Sequence, residues 1–237
     1  MHIPWFIRQH AIDTSEIEKP ISSFKTFNEF FIRTLKKGAR PLAHEQNGVI
    51  SPADGTIVIL ENLSTHSRFP IKGVTFNLEK LLNDKYLAQE FEGGTAIIVR
   101  LAPWDYHRLH FPLAGLPEPA VSIHGRYESV NPLVYGYGVQ PLEINERHLI
   151  RYHTDAIGTI ALIPVGALFV GGIIHTYRPY RHYNKGDEIG YFTFGGSTIV
   201  MLFKANTITV LSRISQNSAA GIETPIKMGQ LIAYTIN

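Results

Sequence analysis

From residue 48 onward the chain is cut into short β-branched runs: GTIVIL (55–60), GTAIIVRLA (94–102), GTIALIPV (158–165), LFVGGII (168–174), STIVMLF (197–203) and NTITVL (206–211). Glycine, proline and asparagine separate them, as in a mostly antiparallel sheet or barrel. Only NLEKLLNDKYLAQEF (77–91) breaks the series with helical spacing. Upstream, FKTFNEFFIRTLKKG (24–38) is the clearest helix: Thr26 and Glu29 fit a capping box, Phe27, Phe30, Phe31 and Leu35 recur on one face, and Gly38 is a stop. Before it, HIPWFIRQHAI (2–12) is short, apolar and aromatic. The expected class is α+β, a mostly antiparallel β-sheet or barrel-like core with an N-terminal helical segment and one or two further helices. All 237 residues fall in one catalytic domain. A faint echo between NKGDEIGYF (184–192) and IKMGQLIAYT (226–235) predicts two similar hairpins folded against one another.

Composition narrows the chemistry. At 44% hydrophobic and 18% charged the chain can bury a sizeable core. No apolar stretch reaches the roughly 18 to 20 residues that cross a bilayer, and no secretory pattern opens the sequence. With no cysteine, thiolate catalysis and cysteine-based zinc sites are excluded, so a nucleophile must be oxygen or nitrogen. A net charge of +2 is too mild to indicate nucleic acid but suits an anionic lipid surface.

Three segments carry candidate chemistry. In SPADGTI (51–57), Asp54 enters a strand through a turn, and ordinary turn chemistry is the plain alternative to catalysis. In WDYHRLHFP (104–112), His107 and His110 stand three apart; a metal would need a third ligand that no nearby motif supplies, so no metal is expected. Their aromatic neighbours suggest rings held rigidly at a pocket wall. In FGGSTIVMLF (194–203), two glycines and a serine precede a strand. Without side chains at 195 and 196 the backbone can turn sharply and expose the Gly196 carbonyl to the Ser197 hydroxyl. Asp54, a histidine and Ser197 would then form a triad whose target is the protein itself.

Taken in order, FKTFNEFFIRTLKKGARP, SPADG, DYHRLHFP, VNP with NER, PVGALFVGGI and GGST resemble the pyruvoyl-dependent phosphatidylserine decarboxylase family, from about Trp5 to the C-terminus. The resemblance places the family's aspartate on Asp54, its catalytic histidine on His110 and its cleavage serine on Ser197. His110 would be the base, its tautomer fixed by Asp54, and His107 would serve substrate binding or protonation during decarboxylation. Two departures are visible: many members read LGST where this chain reads GGST, and many carry a longer N-terminal segment.

By this resemblance, Ser197 attacks the Gly196 carbonyl, the peptide becomes an ester, and β-elimination followed by hydrolysis leaves a pyruvoyl group at residue 197. The chain splits into 1–196 (β subunit) and 197–237 (α subunit), a heterodimer of its own pieces, with homo-oligomers compatible. The ketone would serve as electron sink for decarboxylating phosphatidylserine to phosphatidylethanolamine. The implied partner is phosphatidylserine in a membrane surface, with the enzyme peripheral on the cytoplasmic face of a bacterial membrane. Phe27, Phe30 and Phe31 with Lys36, Lys37 and Arg40 are a candidate lipid-facing patch, a core face being the plain alternative. VYGYGV (134–139) reads as a lid or a surface turn.

Two rivals remain. A serine hydrolase would use the same triad on an external ester, but Ser197 precedes a strand rather than sitting at a strand-to-helix turn. A lipoyl- or biotinyl-type carrier would need flanks around Lys227 that PIKMGQ does not reproduce.

Overall fold

The structure is a computed structural model that describes residues 2–64, 77–130, 137, 139–168, 172–195 and 197–236. The predicted apolar runs pair, antiparallel throughout, into one large sheet and two small ones. The strands are β1 (Gly48–Ile50), β2 (Gly55–Glu61), β3 (Thr95–Leu101), β4 (Arg108–His110), β5 (Gly115–Pro117), β6 (Val121–Ile123) and β7 (Arg147–Thr154). They continue with β8 (Gly158–Gly166), β9 (Ile173–His175), β10 (Glu188–Phe192), β11 (Ser197–Phe203), β12 (Ile208–Val210), β13 (Thr224–Ile226) and β14 (Leu231–Thr235). The main sheet runs β13-β2-β3-β11-β8-β7-β5, with β6 also on β7; β1-β14-β12 and β4-β10-β9 form the small sheets. The main sheet ends on separate edge strands, so the core is layered rather than a closed barrel.

β11 lies at its centre and every one of its residues is buried. Side chains alternate across a strand, so Ile199, Met201 and Phe203 join one apolar cluster, with Ile57, Ile97 and Val99. Val200 and Leu202 join the other, with Leu81, Leu87 and Phe91. A strand covered on both faces reads as an unbroken apolar run, which is why this one carries no polar alternation.

The two echoing stretches are not hairpins folded on one another, since β10 pairs with β4 and β9 while β14 pairs with β1 and β12; they are similar turns leading into strands, within a wider internal likeness. The turn at 51–55 matches that at 111–115: His110 N donates to Pro52 O at 2.9 Å, and Ile50 N donates to Pro112 O at 3.1 Å. Each of these turns then meets one echoing turn in the same way. Gly229 N donates to Ser51 O and Ser51 N to Gln230 O, while Gly186 N donates to Phe111 O and Phe111 N to Asp187 O. Both echoing turns close over the Leu42 side chain.

The helices differ more from expectation. They are α1 (Ile3–Gln9), α2 (Phe27–Phe31), α3 (Leu78–Leu82), α4 (Lys85–Glu90), α5 (Pro141–Ile144) and α6 (Ser212–Ala219). The helix expected over 24–38 is only α2. Its capping is as read, with Thr26 Oγ1 accepting from Glu29 N and Glu29 Oε2 accepting from Lys25 N. Beyond Phe31 competing partners win: the Arg108 guanidinium takes the Ile32 carbonyl, and Thr34 and Lys36 pair with Glu18 and Glu16 as an extended ribbon. The 77–91 segment splits at Asn83, which is left-handed, and Asp84 caps a new start by accepting from Tyr86 N and Leu87 N.

The lipid-facing patch is a correction. Phe30 and Phe31 are fully buried, and the Arg40 guanidinium is enclosed in ion pairs with Glu16 and Asp54. The supposed apolar face packs on α1 through Phe6, edge-on to Phe27 and Phe30. Residues 134–136 and 138 of the proposed lid lie outside the described residues.

Gly55 shows how the Asp54 turn is fastened to the sheet. At φ +149°, a Cβ there would stand 2.3 Å from the Arg100 carbonyl oxygen. Gly55→Ala is expected to cost about 2 kcal/mol or more, from strain plus displacement of β3. Thermal unfolding checks this, and an unchanged midpoint would contradict the close approach.

Candidate active site

Ser197 opens β11, paired with Leu101 on one side and Gly166 on the other, and is wholly buried. A buried hydroxyl needs a partner. Ser197 Oγ finds it at His107 Nδ1, 3.0 Å away. The other ring nitrogen, Nε2, lies 2.9 Å from Ala102 O. A carbonyl only accepts, so Nε2 carries the hydrogen and Nδ1 is bare, ready to accept from the serine. Burial pushes His107 down to about 3, against the bond to Ala102, so the ring is neutral across the physiological range.

α2 builds this site from below. Phe31 stacks on His107 at 3.9 Å between centroids, and Phe194 packs edge-on against Phe27 and Phe31. Asn28 Oδ1 accepts from Phe194 N at 3.1 Å. The segment leading into Ser197 is therefore anchored to the same short helix that fixes the histidine ring. Gly195 follows at φ +146°, a conformation that side chains rarely tolerate. Gly196, the expected cleavage residue, lies outside the described residues.

His110 and Asp54 are nearby but arranged otherwise than expected. His110 Nδ1 is 2.9 Å from Gly186 O and donates to it, while Nε2 meets Tyr106 Oη at 3.2 Å. The Gly186 carbonyl, not Asp54, sets the tautomer of His110. Burial lowers the pKa of His110, with the Gly186 bond and the Glu188 and Asp54 charges opposing. The Asp54 carboxylate is taken by Arg40, through Nε at 2.9 Å and Nη2 at 2.6 Å, and by Met228 N at 2.8 Å. A two-pronged guanidinium contact of this kind outcompetes a neutral imidazole. The structure thus joins Ser197 to His107 directly and leaves Asp54 and His110 in a neighbouring network.

Sequence reasoning assigned Arg40 to a lipid-facing patch and gave Asp105 no role. Arg40 bridges Asp54 to Glu16, and those two carboxylates raise its pKa against the cost of burial. Asp105 Oδ2 accepts from Ala102 N at 2.7 Å, closing the loop whose carbonyl holds His107. Burial pushes the Asp105 carboxyl up to about 6. A cavity of about 700 Å³, lined by Arg100, Leu101, Ala102, Trp104, Asp105 and Ala167 among others, lies against the strand ends that flank Ser197, which is not itself in its lining. Arg100 reaches across to pair with Glu223.

Comparison with known proteins comes to the same place. The family model described as phosphatidylserine decarboxylase matches residues 27–234. A phosphatidylserine decarboxylase proenzyme of Clostridium botulinum (strain Hall) is 43% identical over 227 residues, 96% of this chain and 77% of the relative. A Clostridium perfringens (strain ATCC 13124) proenzyme is 42% identical over 227 residues, with the same shares of the two chains. One from Fusobacterium nucleatum is 41% identical over 225 residues, 95% of this chain and 75% of its own. With the matched region spanning both the Ser197 strand and the histidine segment, the chain belongs to the phosphatidylserine decarboxylase family.

Proposed function

We propose that the chain decarboxylates phosphatidylserine to phosphatidylethanolamine with a pyruvoyl group made from its own Ser197. The observation that carries this reading is the buried Ser197 hydroxyl aimed at a bare nitrogen of a neutral histidine. His107 takes the hydroxyl proton as Oγ attacks the Gly196 carbonyl carbon. The Gly196–Ser197 carbon–nitrogen bond breaks, the proton passes to the new amine, and an ester joins the two pieces. Loss of the residue 197 α-proton expels Gly196 as a carboxylate and leaves dehydroalanine. Water then replaces the nitrogen, which departs as ammonia.

Position 197 suits the product: it is fixed between two strands, shielded by aromatic rings and paired with Leu101, which lines the 700 Å³ cavity. A pyruvoyl group supplies a ketone electrophile for an amine and an acceptor for the electron pair freed as carbon dioxide leaves. Around it, Leu101, Ala102 and Ala167 exclude water, Arg100 stands in the wall paired with Glu223, and Asp105, raised to about 6, is ionised at neutral pH and takes up a proton only in the mildly acidic range. The burial of Ser197 disfavours a hydrolase acting on an external ester.

The fragments 1–196 and 197–237 would stay together. β11 is hydrogen-bonded to β3 and β8, β13 to β2, and β14 to β1, so the smaller piece threads two sheets of the larger.

The lipid would enter past Trp104 and Leu168, which line the cavity while 42% and 46% exposed. His10 stacks on Trp104 and ties α1, with its exposed Trp5, to that rim. Among the described residues no helix is long and apolar enough to cross a membrane, so a peripheral rim of aromatic residues is the proposed contact.

Four outcomes are expected. Intact mass should show two fragments in the wild type, the smaller blocked at its N-terminus, and Ser197→Ala should stay uncut and inactive. His107→Ala should slow cleavage by about 100-fold or more, the usual worth of a general base, with His110→Ala milder; the opposite ranking in a cleavage time course would reassign the base. Because the folded pKa of His107 is depressed to about 3, cleavage should be insensitive to pH from about 8 to 5 and fall only as the ring protonates below that. Trp104→Ser with Leu168→Ser should weaken sedimentation with phosphatidylserine vesicles, and unchanged binding would remove the rim from the lipid contact.

A further inference from the structure

Asn145, the residue that follows α5, is completely buried although its side chain is an amide. The amide is fully used. Its Nδ2 donates to Glu128 O and to Gly166 O, both at 2.8 Å, and its Oδ1 accepts from Glu128 N at 2.9 Å. Turning the amide over would set Oδ1 against two carbonyls, so the chemistry of the partners fixes its orientation. The residue is itself anchored: Arg147 Nη1 donates to Asn145 O at 2.9 Å, and Arg147 Nε donates to Leu81 O at 2.7 Å on α3.

The two segments that this amide joins are both walls of the reaction cavity. Ser129 and Val130 follow Glu128, Ala167 and Leu168 follow Gly166, and all four line the 700 Å³ space, whose described lining does not include Asn145. Main-chain bonds surround the clamp: Arg126 N donates to Ile144 O, Glu146 N to Arg126 O, and Gly166 N to Glu146 O. Residue 128 is joined to the end of β8 by the amide and by Leu168 N, which reaches Glu128 O at a longer 3.3 Å. We propose that Asn145 is a positioning residue for the decarboxylation, a clamp that sets the spacing of these two walls and so the shape in which the cavity receives the lipid headgroup. The inference rests on the function proposed for that cavity. An apolar side chain of similar size at 145 would leave Glu128 N, Glu128 O and Gly166 O short of a partner, and the walls would part to reach water. The main-chain bonds at 126 and 166 would remain, so the change stays local to the walls. Self-cleavage uses Ser197, paired with Leu101, and His107, held by Phe31 and Ala102 O, and these contacts do not pass through Asn145.

The test compares the purified wild type with Asn145→Leu, with the gentler Asn145→Ser, and with Ser218→Ala, which removes a buried hydroxyl bonded to Ile59 N at 3.0 Å and outside the cavity lining. Well below the thermal midpoints, the measurements are backbone hydrogen exchange, the self-cleavage time course, and KM and kcat on phosphatidylserine in detergent micelles. Asn145→Leu is expected to speed exchange of the Glu128 amide by at least about fivefold, the worth of one lost hydrogen bond. It should raise KM at least about tenfold with a smaller fall in kcat, and leave self-cleavage within about threefold of the wild type, as displaced binding walls would. Asn145→Ser should give a KM between the two, and Ser218→Ala should lower the midpoint without moving KM. An unchanged KM in both Asn145 variants of an active enzyme would overturn the clamp alone, as would an equal KM shift in Ser218→Ala, which would reduce the effect to lost stability. A processed wild type that releases no carbon dioxide from phosphatidylserine would overturn the function on which the clamp rests, and the clamp with it.

Discussion

A strand buried on both faces has no tolerance for an unpaired hydroxyl, and β11 begins with one. Leaving Ser197 Oγ without a partner would cost about 1–3 kcal/mol. The neutral His107 ring meets that demand: with its Nε2–H given to Ala102 O, the bare Nδ1 accepts from the hydroxyl. The burial that holds His107 near 3 therefore keeps Nδ1 bare toward the Ser197 hydroxyl across the physiological range. Packing and chemistry are one constraint here: Phe31 and Phe194 keep water from the pair, and the loop closed by Asp105 fixes which nitrogen carries the hydrogen.

The neighbouring network is ionic. Arg40 lies between Asp54 and Glu16 and so ties the first residues of the chain to the turn before β2, while Met228 N brings in the second echoing turn. Breaking one partner of such an enclosed pair strands the other charge, so these contacts hold three distant segments in register. His110, bonded to Gly186 O and Tyr106, ties the first echoing turn to the opposite side of the same turn pair. Asp54 lies inside one turn of the internal likeness and His110 just before the other, each bonded to a different echoing turn, through Met228 N and Gly186 O.

Much of this was legible in the sequence because it depended on local periodicity. The β-branched runs located β2, β3, β8 and β11, the capping box located the start of α2, and the turn glycines marked two similar turns, although not the hairpins expected there. The Gly-Gly-Ser stretch and the two histidines pointed to the site because buried polar residues among apolar neighbours are seldom idle. What escaped depended on long-range competition. Nothing local tells that Arg108, far along the chain, takes the Ile32 carbonyl and ends α2, or that Arg40 claims Asp54 before any imidazole can. The choice between His107 and His110 is of the same kind: three residues apart, they are assigned by which carbonyl, Ala102 or Gly186, orients each ring.

The proposed scissile bond sits where the sheet can tolerate a break. Cutting a chain at the head of its central strand would seem to endanger the fold, yet nearly all of the cohesion of β11 lies beyond the cut. Val200 and Leu202 face one apolar cluster, Ile199, Met201 and Phe203 the other, and the ladder to β3 and β8 continues from residue 198. Converting residue 197 removes one backbone N–H at the end of that ladder, a loss of about 1 kcal/mol against burial of five large side chains at roughly 1.5–3 kcal/mol each. A reactive group made in the chain can thus be held as rigidly as a core residue, because the strand that carries it is core from its second position onward.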